Sequence, residues 1–197
     1  MPPLLKAQLL LARLEYLASG YGPEVRERVL RLLDPEDRER LGRLPRDAWV
    51  PFRTLVRLDH AIRTVVSPGS DAVFETLGRA SARHRTEWLG EHAALVSVHG
   101  FLSRVAEEHG RFHTFGRAEY RRLGFRHGQI VFFDYPEVDV SYCLSASGYL
   151  AGAIEMLGAS RARVEEVTCQ CRGQDSCLFD LHWEDKGITP PPSRTPA

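Results

Sequence analysis

The hydrophobic pattern of the chain changes its period once, near Gly110, and this change restricts the fold more than any other feature of the sequence. Between residues 4 and 109, apolar side chains recur with the spacing of an amphipathic helix. After Gly110, the segments 111–125 and 129–135 are rich in aromatic residues and flank Gly128, which is typical of two strands. The sequence therefore predicts an α+β fold, with a helical N-terminal half followed by a small antiparallel sheet.

One further helix is expected to interrupt this sheet, over residues 139–157. Small residues, among them Gly148 and Gly152, cover part of its surface and predict that another element packs very close to it. Beyond this helix, residues 161–171 and 177–183 have the pattern of two strands joined by a tight turn. The C-terminal part is thus predicted to be a hairpin preceded by an inserted helix.

The charges of the chain balance, with 26 basic and 26 acidic residues. A balanced charge gives no whole-molecule attraction to nucleic acid or to an anionic membrane. The apolar runs are far shorter than the roughly 20 residues that a membrane-spanning helix needs. Lys6 and Arg13 interrupt the apolar N-terminus at helical spacing, which is typical of an amphipathic helix rather than a signal peptide. We therefore expect a cytoplasmic protein with reduced cysteines, no nucleic-acid partner and no membrane span.

Three of the four cysteines lie where the predicted elements would bring them together. Cys169 and Cys177 bracket the tight turn of the hairpin, and Cys143 lies near the start of the preceding helix. Thiolates in this arrangement fit a tetrahedral zinc site, which needs a fourth donor. Glu165 and Glu166, just upstream on the same strand, could each supply a carboxylate oxygen. The alternative is that these cysteines are small apolar core residues.

The stretch VEEVTCQCRGQDSCLFDLHW resembles the end of the vinyl-four-reductase (4VR) domain, in which a Cys, a glycine-containing turn and a second Cys precede an aromatic and apolar strand. The resemblance extends over residues 95–184. Some members of this group are the zinc-containing sensor domains of aromatic-effector-responsive transcription activators, and their zinc site is closed and structural. The resemblance implies that the zinc ligands here are Cys143, Glu166, Cys169 and Cys177.

Strand alternation bears on the choice of Glu166 as a ligand. An ideal strand places Glu165 and Cys169 on one face and Glu166 on the other. A β-bulge between Glu166 and Cys169 would bring both to the same side. The spacing of the resemblance favours Glu166 and therefore predicts this bulge. Without it, Glu165 or Cys171 becomes the fourth ligand.

The resemblance also implies a ligand pocket. The fold is shared in outline with haem-nitric-oxide sensors and with transport-particle (TRAPP) subunits, which hold an apolar pocket or acyl channel between helices and sheet. Related phenol sensors anchor their ligand with a helix His and a strand Trp. Here His92 and His99 lie in a suitable helix, but residues 111–135 contain no Trp. We expect an apolar or acyl ligand near His99, Tyr120 and Phe132, the alternative being that His99 is a hydrogen-bonded core histidine.

Enzymatic activity is not expected from the motifs of this chain. The sequence has no glycine-rich phosphate loop, no GxSxG and no HExxH motif. The Glu-Glu-His run at residues 107–109 is most simply a solvated helix end. Haem is disfavoured because the Tyr-Ser-Arg signature of haem-nitric-oxide domains is absent, and the nearest Tyr segment is YCLSASGY.

These features together predict three regions and a regulatory role. Residues 1–94 form a helical part that mediates homodimerisation, residues 95–184 form the 4VR-like zinc- and ligand-binding part, and residues 185–197 are a disordered tail. We expect a stand-alone sensory module that binds an apolar small molecule, contains a structural zinc and signals through a protein partner. The alternative is a non-enzymatic adaptor of the TRAPP type with no exchangeable ligand. An accessory factor in tetrapyrrole reduction ranks third.

Overall fold

The computed structural model describes residues 2–89, 97–136 and 139–185. In these ranges the chain follows the predicted order, with a helical half first and then a four-stranded antiparallel sheet that has one helix inserted between its strands. The predicted α+β fold class is confirmed. No helix in these ranges is long and apolar enough to cross a membrane.

The first half is built mainly from amphipathic helices. They are α1 (Gln8–Tyr21), α2 (Pro23–Arg31), α3 (Pro35–Gly42), α4 (Phe52–Val66) and α5 (Ala72–Leu89). Their apolar faces meet in one core, in which Leu10, Leu58 and Phe74 are fully buried. Burial of these faces, rather than helix propensity alone, stabilises helices of this length.

Two short segments of this half form strands where the sequence pattern predicts helix. Leu5 lies in β1 (Leu4–Lys6), and Trp49 lies in β2 (Trp49–Pro51), which pairs with β1 in antiparallel fashion. The backbone of β1 also bonds to the second half of the chain, since the Lys6 N–H donates to the Phe112 carbonyl at 2.9 Å. These long-range hydrogen bonds override the local period, and they leave Leu5 fully buried between the two halves.

The second half holds the larger sheet. Its elements are α6 (Val98–Glu107), β3 (Arg117–Arg122), β4 (His127–Phe133), α7 (Val140–Met156), β5 (Ala159–Thr168) and β6 (Ser176–Asp185), and the strand order is β3-β4-β6-β5. Strand β3 starts later than predicted because residues 109–111 form a 3-10 turn. Strand β6 includes Asp185, the first residue of the predicted tail, and residues 186–197 lie outside the described ranges.

Helices α5 and α7 pack unusually close together, as the small residues of α7 predict. A Cβ atom added at Gly148 of α7 would lie 1.9 Å from the backbone oxygen of Glu75, and one added at Gly78 of α5 would lie 2.0 Å from the backbone oxygen of Ser145. Such contacts are far inside van der Waals distance, so only glycine fits at either position. The close approach joins the helical half to the helix that carries Cys143.

A buried ion pair adds a polar connection between the two halves. The Arg13 guanidinium donates to the Asp59 carboxylate at 2.6 Å, and both side chains are almost fully buried. Asp59 also accepts a hydrogen bond from Ser141, and Arg13 donates to Ser145, both at 3.0 Å. Because Ser141 and Ser145 lie two residues on either side of Cys143, this network fixes the start of α7 against α1 and α4.

Candidate functional site

The C-terminal hairpin contains the predicted β-bulge. Along β5, Glu166 pairs with Phe179, but the next pair joins Thr168 to Leu178, so Val167 is an extra residue on this strand. Without the extra residue, Cys169 would point to the solvent face of the sheet. With it, Glu166 and Cys169 both face the core, and Val167 is 53% exposed. The local irregularity is therefore what brings the carboxylate and the thiol to the same side.

The four predicted donors converge between this hairpin and the start of α7. Cys143, Glu166, Cys169 and Cys177 each offer a ligand atom, and these atoms all lie within 4.8 Å of one another. The Cys143 sulfur is 3.6 Å from that of Cys169 and 3.8 Å from that of Cys177. Two sulfurs bound at about 2.3 Å to a tetrahedral zinc lie about 3.8 Å apart. The thiols are thus already spaced as ligands of one ion.

The carboxylate of Glu166 is held in an asymmetric way. Its Oε2 accepts a hydrogen bond from Arg172 at 2.8 Å. Its Oε1 is buried and, among the described residues, has no hydrogen-bond partner. A buried carboxylate oxygen without a partner is costly. Because Glu166 also belongs to the convergent donor set, a cation at the centre of that set would satisfy this oxygen.

The ionisation of the cluster also favours a cation. Hydrogen bonding to Cys177, together with burial, raises the pKa of the Cys143 thiol well above its usual value. Burial raises the pKa of Cys169 as well, and the Cys143 thiol lowers that of Cys177. Three sulfurs and a carboxylate cannot all ionise at this distance unless a positive charge lies between them. The donor set fits Zn²⁺, which prefers thiolate, imidazole and carboxylate ligands.

The two alternative ligands lie elsewhere. Glu165 is exposed on the opposite face of β5, and its carboxylate accepts a hydrogen bond from Arg163 at 2.8 Å. Cys171 is exposed in the turn after β5. Neither belongs to the convergent donor set. The geometry therefore favours Glu166 as the fourth ligand over both.

A small apolar cavity adjoins the cluster, between α7 and the sheet. Its lining residues are mostly aromatic and include two of the cysteines; they are Phe132, Tyr135, Tyr142, Cys143, Ala146, Cys177 and Phe179. The cavity has a volume of about 10 Å³, which is close to the least space that holds one water molecule. The wall of the cavity and the donor set thus share Cys143 and Cys177.

A chain of buried hydrogen bonds runs beside this cavity. The Tyr142 hydroxyl lies 2.8 Å from His113 Nε2, and His109 Nε2 lies 2.6 Å from the Tyr135 hydroxyl. His113 stacks on His109 with ring centroids 4.4 Å apart. Burial lowers the pKa of His109 to about 4 and that of His113 to about 3, so both imidazoles are neutral at pH 7. The interpretation of residues 107–109 as a solvated helix end is therefore wrong for His109, which is 7% exposed.

The predicted ligand residues His99 and Tyr120 bond to each other. His99 Nε2 donates to the Phe125 carbonyl at 2.8 Å, so Nδ1 is left to accept from the Tyr120 hydroxyl at 2.5 Å. The ring also contacts Trp183, with centroids 4.9 Å apart. This is the geometry of a hydrogen-bonded core histidine, and of the three predicted ligand residues Phe132 is the one that lines the cavity. His92 lies outside the described residues.

Comparison with known proteins agrees with this architecture. Residues 127–182 match the vinyl-four-reductase (4VR) domain. No curated protein sequence matches the chain. Solved structures with the same fold include an H-NOX protein from S. oneidensis in the Fe(II)NO ligation state, with 13% identity and a TM-score of 0.72, covering 92% of this chain and 100% of that chain.

Two further structures are similar. An H-NOX protein from K. algicida in the Fe(II) unliganded state has 8% identity and a TM-score of 0.70, covering 92% of this chain and 97% of that chain. An oxygen-binding H-NOX domain related to soluble guanylate cyclases has 13% identity and a TM-score of 0.69, covering 92% of this chain and 96% of that chain. At these identities the similarity is one of fold.

The described residues do not fit a haem group, which is a feature of the H-NOX family. The cavity of about 10 Å³ is far too small for a macrocycle. Both ring nitrogens of His99 and His113 lie within hydrogen-bond distance of protein atoms, so neither is free to bind iron. The predicted resemblance is nevertheless confirmed: the chain carries a vinyl-four-reductase domain segment at residues 127–182, within a fold that it shares with H-NOX proteins.

Proposed function

We propose that this chain is a sensory or regulatory module in which a small apolar molecule binds beside a structural zinc site. The observation that carries the proposal is the shared wall of the two features, since Cys143 and Cys177 both line the cavity and belong to the donor set. A ligand in this cavity would press directly on the zinc-bound hairpin. A 4VR match within an H-NOX-like fold supports a small-molecule sensor over other uses of an α+β fold.

Zinc would have a structural role in this module. The three thiols and Glu166 would complete a tetrahedral set, which leaves no open position for a substrate. When bound, the ion would supply the positive charge that the ionised donors need, and it would tie α7 to the hairpin. An enzyme is not part of the proposal, because no described residue adds a nucleophile or an open metal position to this site.

The ligand would be small, largely apolar and able to form one hydrogen bond. The aromatic walls favour an apolar or aromatic body, and the Tyr135 and Tyr142 hydroxyls are the polar groups beside it. The present volume of about 10 Å³ admits no such molecule without movement of side chains. Binding would therefore require the cavity to open, and Phe132 is the lining residue that the sequence already predicts for the ligand site.

The small cavity favours a second candidate as well, a non-enzymatic adaptor of TRAPP type whose interior is filled by its own side chains. Both candidates share a homodimer formed through the helical first half, a cytoplasmic location and a protein partner that receives the signal. They differ in one measurable property, which is whether an exchangeable small molecule binds beside the zinc site.

Thermal denaturation of the zinc-loaded protein with phenol, toluene, indole and octanoate as probes separates the two candidates. A sensor gains stability with at least one probe, by mass action. Phe132→Leu should enlarge the cavity and increase this shift, and Ala146→Val should reduce it, with zinc content unchanged in both. Tyr120→Phe is the matched control, because it removes the hydrogen bond to His99 without touching the cavity wall. If no probe shifts the melting temperature of any of these proteins, the adaptor takes the place of the sensor.

A further inference from the structure

A second group of metal-ligating side chains lies on the outer face of the sheet, away from the cysteine cluster. His127 on β4 and His182 on β6 are directly opposite each other in the strand pairing. Asp180, two residues before His182, points to the same face. One ligand atom from each of the three lies within 4.8 Å of the others. The sequence did not indicate this group, because 55 positions separate His127 from His182 and only the register of β4 on β6 joins them.

The two imidazoles converge on one carboxylate. His127 Nε2 lies 2.9 Å from Asp180 Oδ1, and His182 Nε2 lies 2.9 Å from Asp180 Oδ2. The two rings are stacked, with centroids 3.9 Å apart and planes inclined by 15°. Both histidines therefore present the same ring nitrogen to the same point.

We propose that His127, Asp180 and His182 bind a divalent transition-metal ion such as Zn²⁺. Nitrogen and oxygen donors at about 2.0 to 2.2 Å from a tetrahedral ion lie about 3.3 Å apart. The observed distances of 2.9 Å differ from this value by a few tenths of an ångström, which rotation of exposed side chains can supply. The ion would replace the two imidazole protons that now bridge to the carboxylate.

The surroundings of the group are suited to a cation. Gln129, opposite Asp180 on β4, donates to Asp180 Oδ1 at 2.9 Å and so orients the carboxylate. Partial burial raises the pKa of Asp180, but the hydrogen bonds from His127 and Gln129 outweigh burial and hold the pKa below its usual value. The nearest cation in the strand pairing, Arg163 opposite His182, forms an ion pair with Glu165. The carboxylate is thus ionised, and the adjacent positive charge is already neutralised.

This site would differ from the cysteine site in openness. The side chain of His182 is 51% exposed and that of Asp180 is 22% exposed, so three protein ligands would leave at least one position of the ion facing solvent. Water would fill that position in the isolated protein. A donor from another molecule could replace the water, as it could not in the closed set of three thiols and Glu166.

Isothermal titration of tag-free protein that already holds one zinc per chain tests the proposal, with Zn²⁺ as the probe. We expect a second equivalent to bind. His182→Ala and Asp180→Asn should each weaken this second binding by at least about tenfold, as loss of a supporting group alone weakens metal sites by about 10- to 100-fold. His60→Ala is the matched control, because His60 is also an exposed histidine beside a carboxylate, Asp139, but has no second imidazole near it among the described residues.

Two measurements keep this result separate from the zinc-stapled sensor. His182→Ala should retain the first zinc equivalent, whereas Glu166→Gln should weaken the first and leave the second unchanged. In the wild type, the imidazole NMR signals of His127 and His182 should shift when the second equivalent binds. A second equivalent that is absent, or that binds His182→Ala and Asp180→Asn as tightly as wild type, overturns the proposal and leaves a hydrogen-bonded His-Asp-His group.

Discussion

Glu166→Gln is the substitution that most directly tests the ligand set at the cysteine cluster. The amide has the shape of the carboxylate and its oxygen can still accept the hydrogen bond from Arg172, which lies 2.8 Å from the carboxylate Oε2. What the substitution removes is the negative charge and the buried Oε1 that belongs with the three thiols. Its effect therefore reports on metal binding rather than on packing.

The size of the effect follows from the role of one ligand among four. Even supporting groups weaken metal affinity by about 10- to 100-fold when they are lost, so Glu166→Gln should weaken zinc binding by at least that factor. A 10- to 100-fold loss corresponds to about 1.4 to 2.7 kcal/mol of stability when zinc is in excess. For a chain of this length, that loss lowers the melting temperature by about 3 to 10 °C.

Glu165→Gln is the matched control. Glu165 is adjacent in sequence but faces solvent on the other side of β5, where it pairs with Arg163. Its substitution should change the free energy of unfolding by no more than about 0.5 kcal/mol, as is usual for surface positions. Zinc affinity is measured by competition with a chromophoric chelator, and stability by thermal denaturation with zinc and with EDTA.

A second matched pair examines the thiols. Cys177→Ser should release zinc and destabilise the protein strongly, since the remaining donors stay clustered without a cation. Cys171→Ser should be mild, because Cys171 is exposed and outside the donor set. The reasoning is refuted if Glu165→Gln weakens zinc binding more than Glu166→Gln, or if Cys171→Ser is the more damaging of the two thiol substitutions. It is also refuted if zinc-free wild-type protein melts at the same temperature as the loaded form.

Three further predictions concern stability. Gly148→Ala should cost about 1 to 3 kcal/mol or more in urea denaturation, because the added Cβ meets backbone and α7 must move away from α5. Asp59→Asn should cost about 3 to 5 kcal/mol, because buried Arg13 loses its counter-charge. Stability should be fully present above about pH 6.5 and fall as the pH drops toward the folded pKa values of about 4 for His109 and about 3 for His113, because the unfolded state takes up these protons first. The fall between pH 6.5 and 4 should be shallower in His113→Gln, and an identical fall in both proteins would contradict the assignment.

The sequence was most informative where the deciding contacts are local. The spacing of Glu166, Cys169 and Cys177 along one hairpin, together with strand alternation, was enough to predict the bulge that the pairing of β5 with β6 contains. Likewise, the small residues of α7 predicted its close contact with another helix, since Gly148 can be occupied by no larger residue at that distance. In both cases a few neighbouring positions carry the constraint.

The sequence was least informative where distant segments meet. Leu5 and Trp49 follow a helical period, but they form paired strands because residues 4–6 bond to both β2 and the segment after α6. His109 has the pattern of a solvated helix end, and only the fold shows that it bonds to the Tyr135 hydroxyl. The facing of His127 and His182 depends on strand register, which no pattern within either strand reveals.

Helix α7 is the element through which these features act on one another. Cys143 belongs to the donor set and to the cavity wall, and two residues away on either side Ser141 and Ser145 bond to the buried pair of Arg13 and Asp59. One turn further along, α7 lies against α5 with no space for a side chain. Because packed interiors resist gradual deformation, a displacement of Cys143 by zinc release or by a ligand has to be accommodated at those contacts. The helical half is therefore the part of the molecule in which a change at the cavity would be felt, and its surface is where a partner could detect that change.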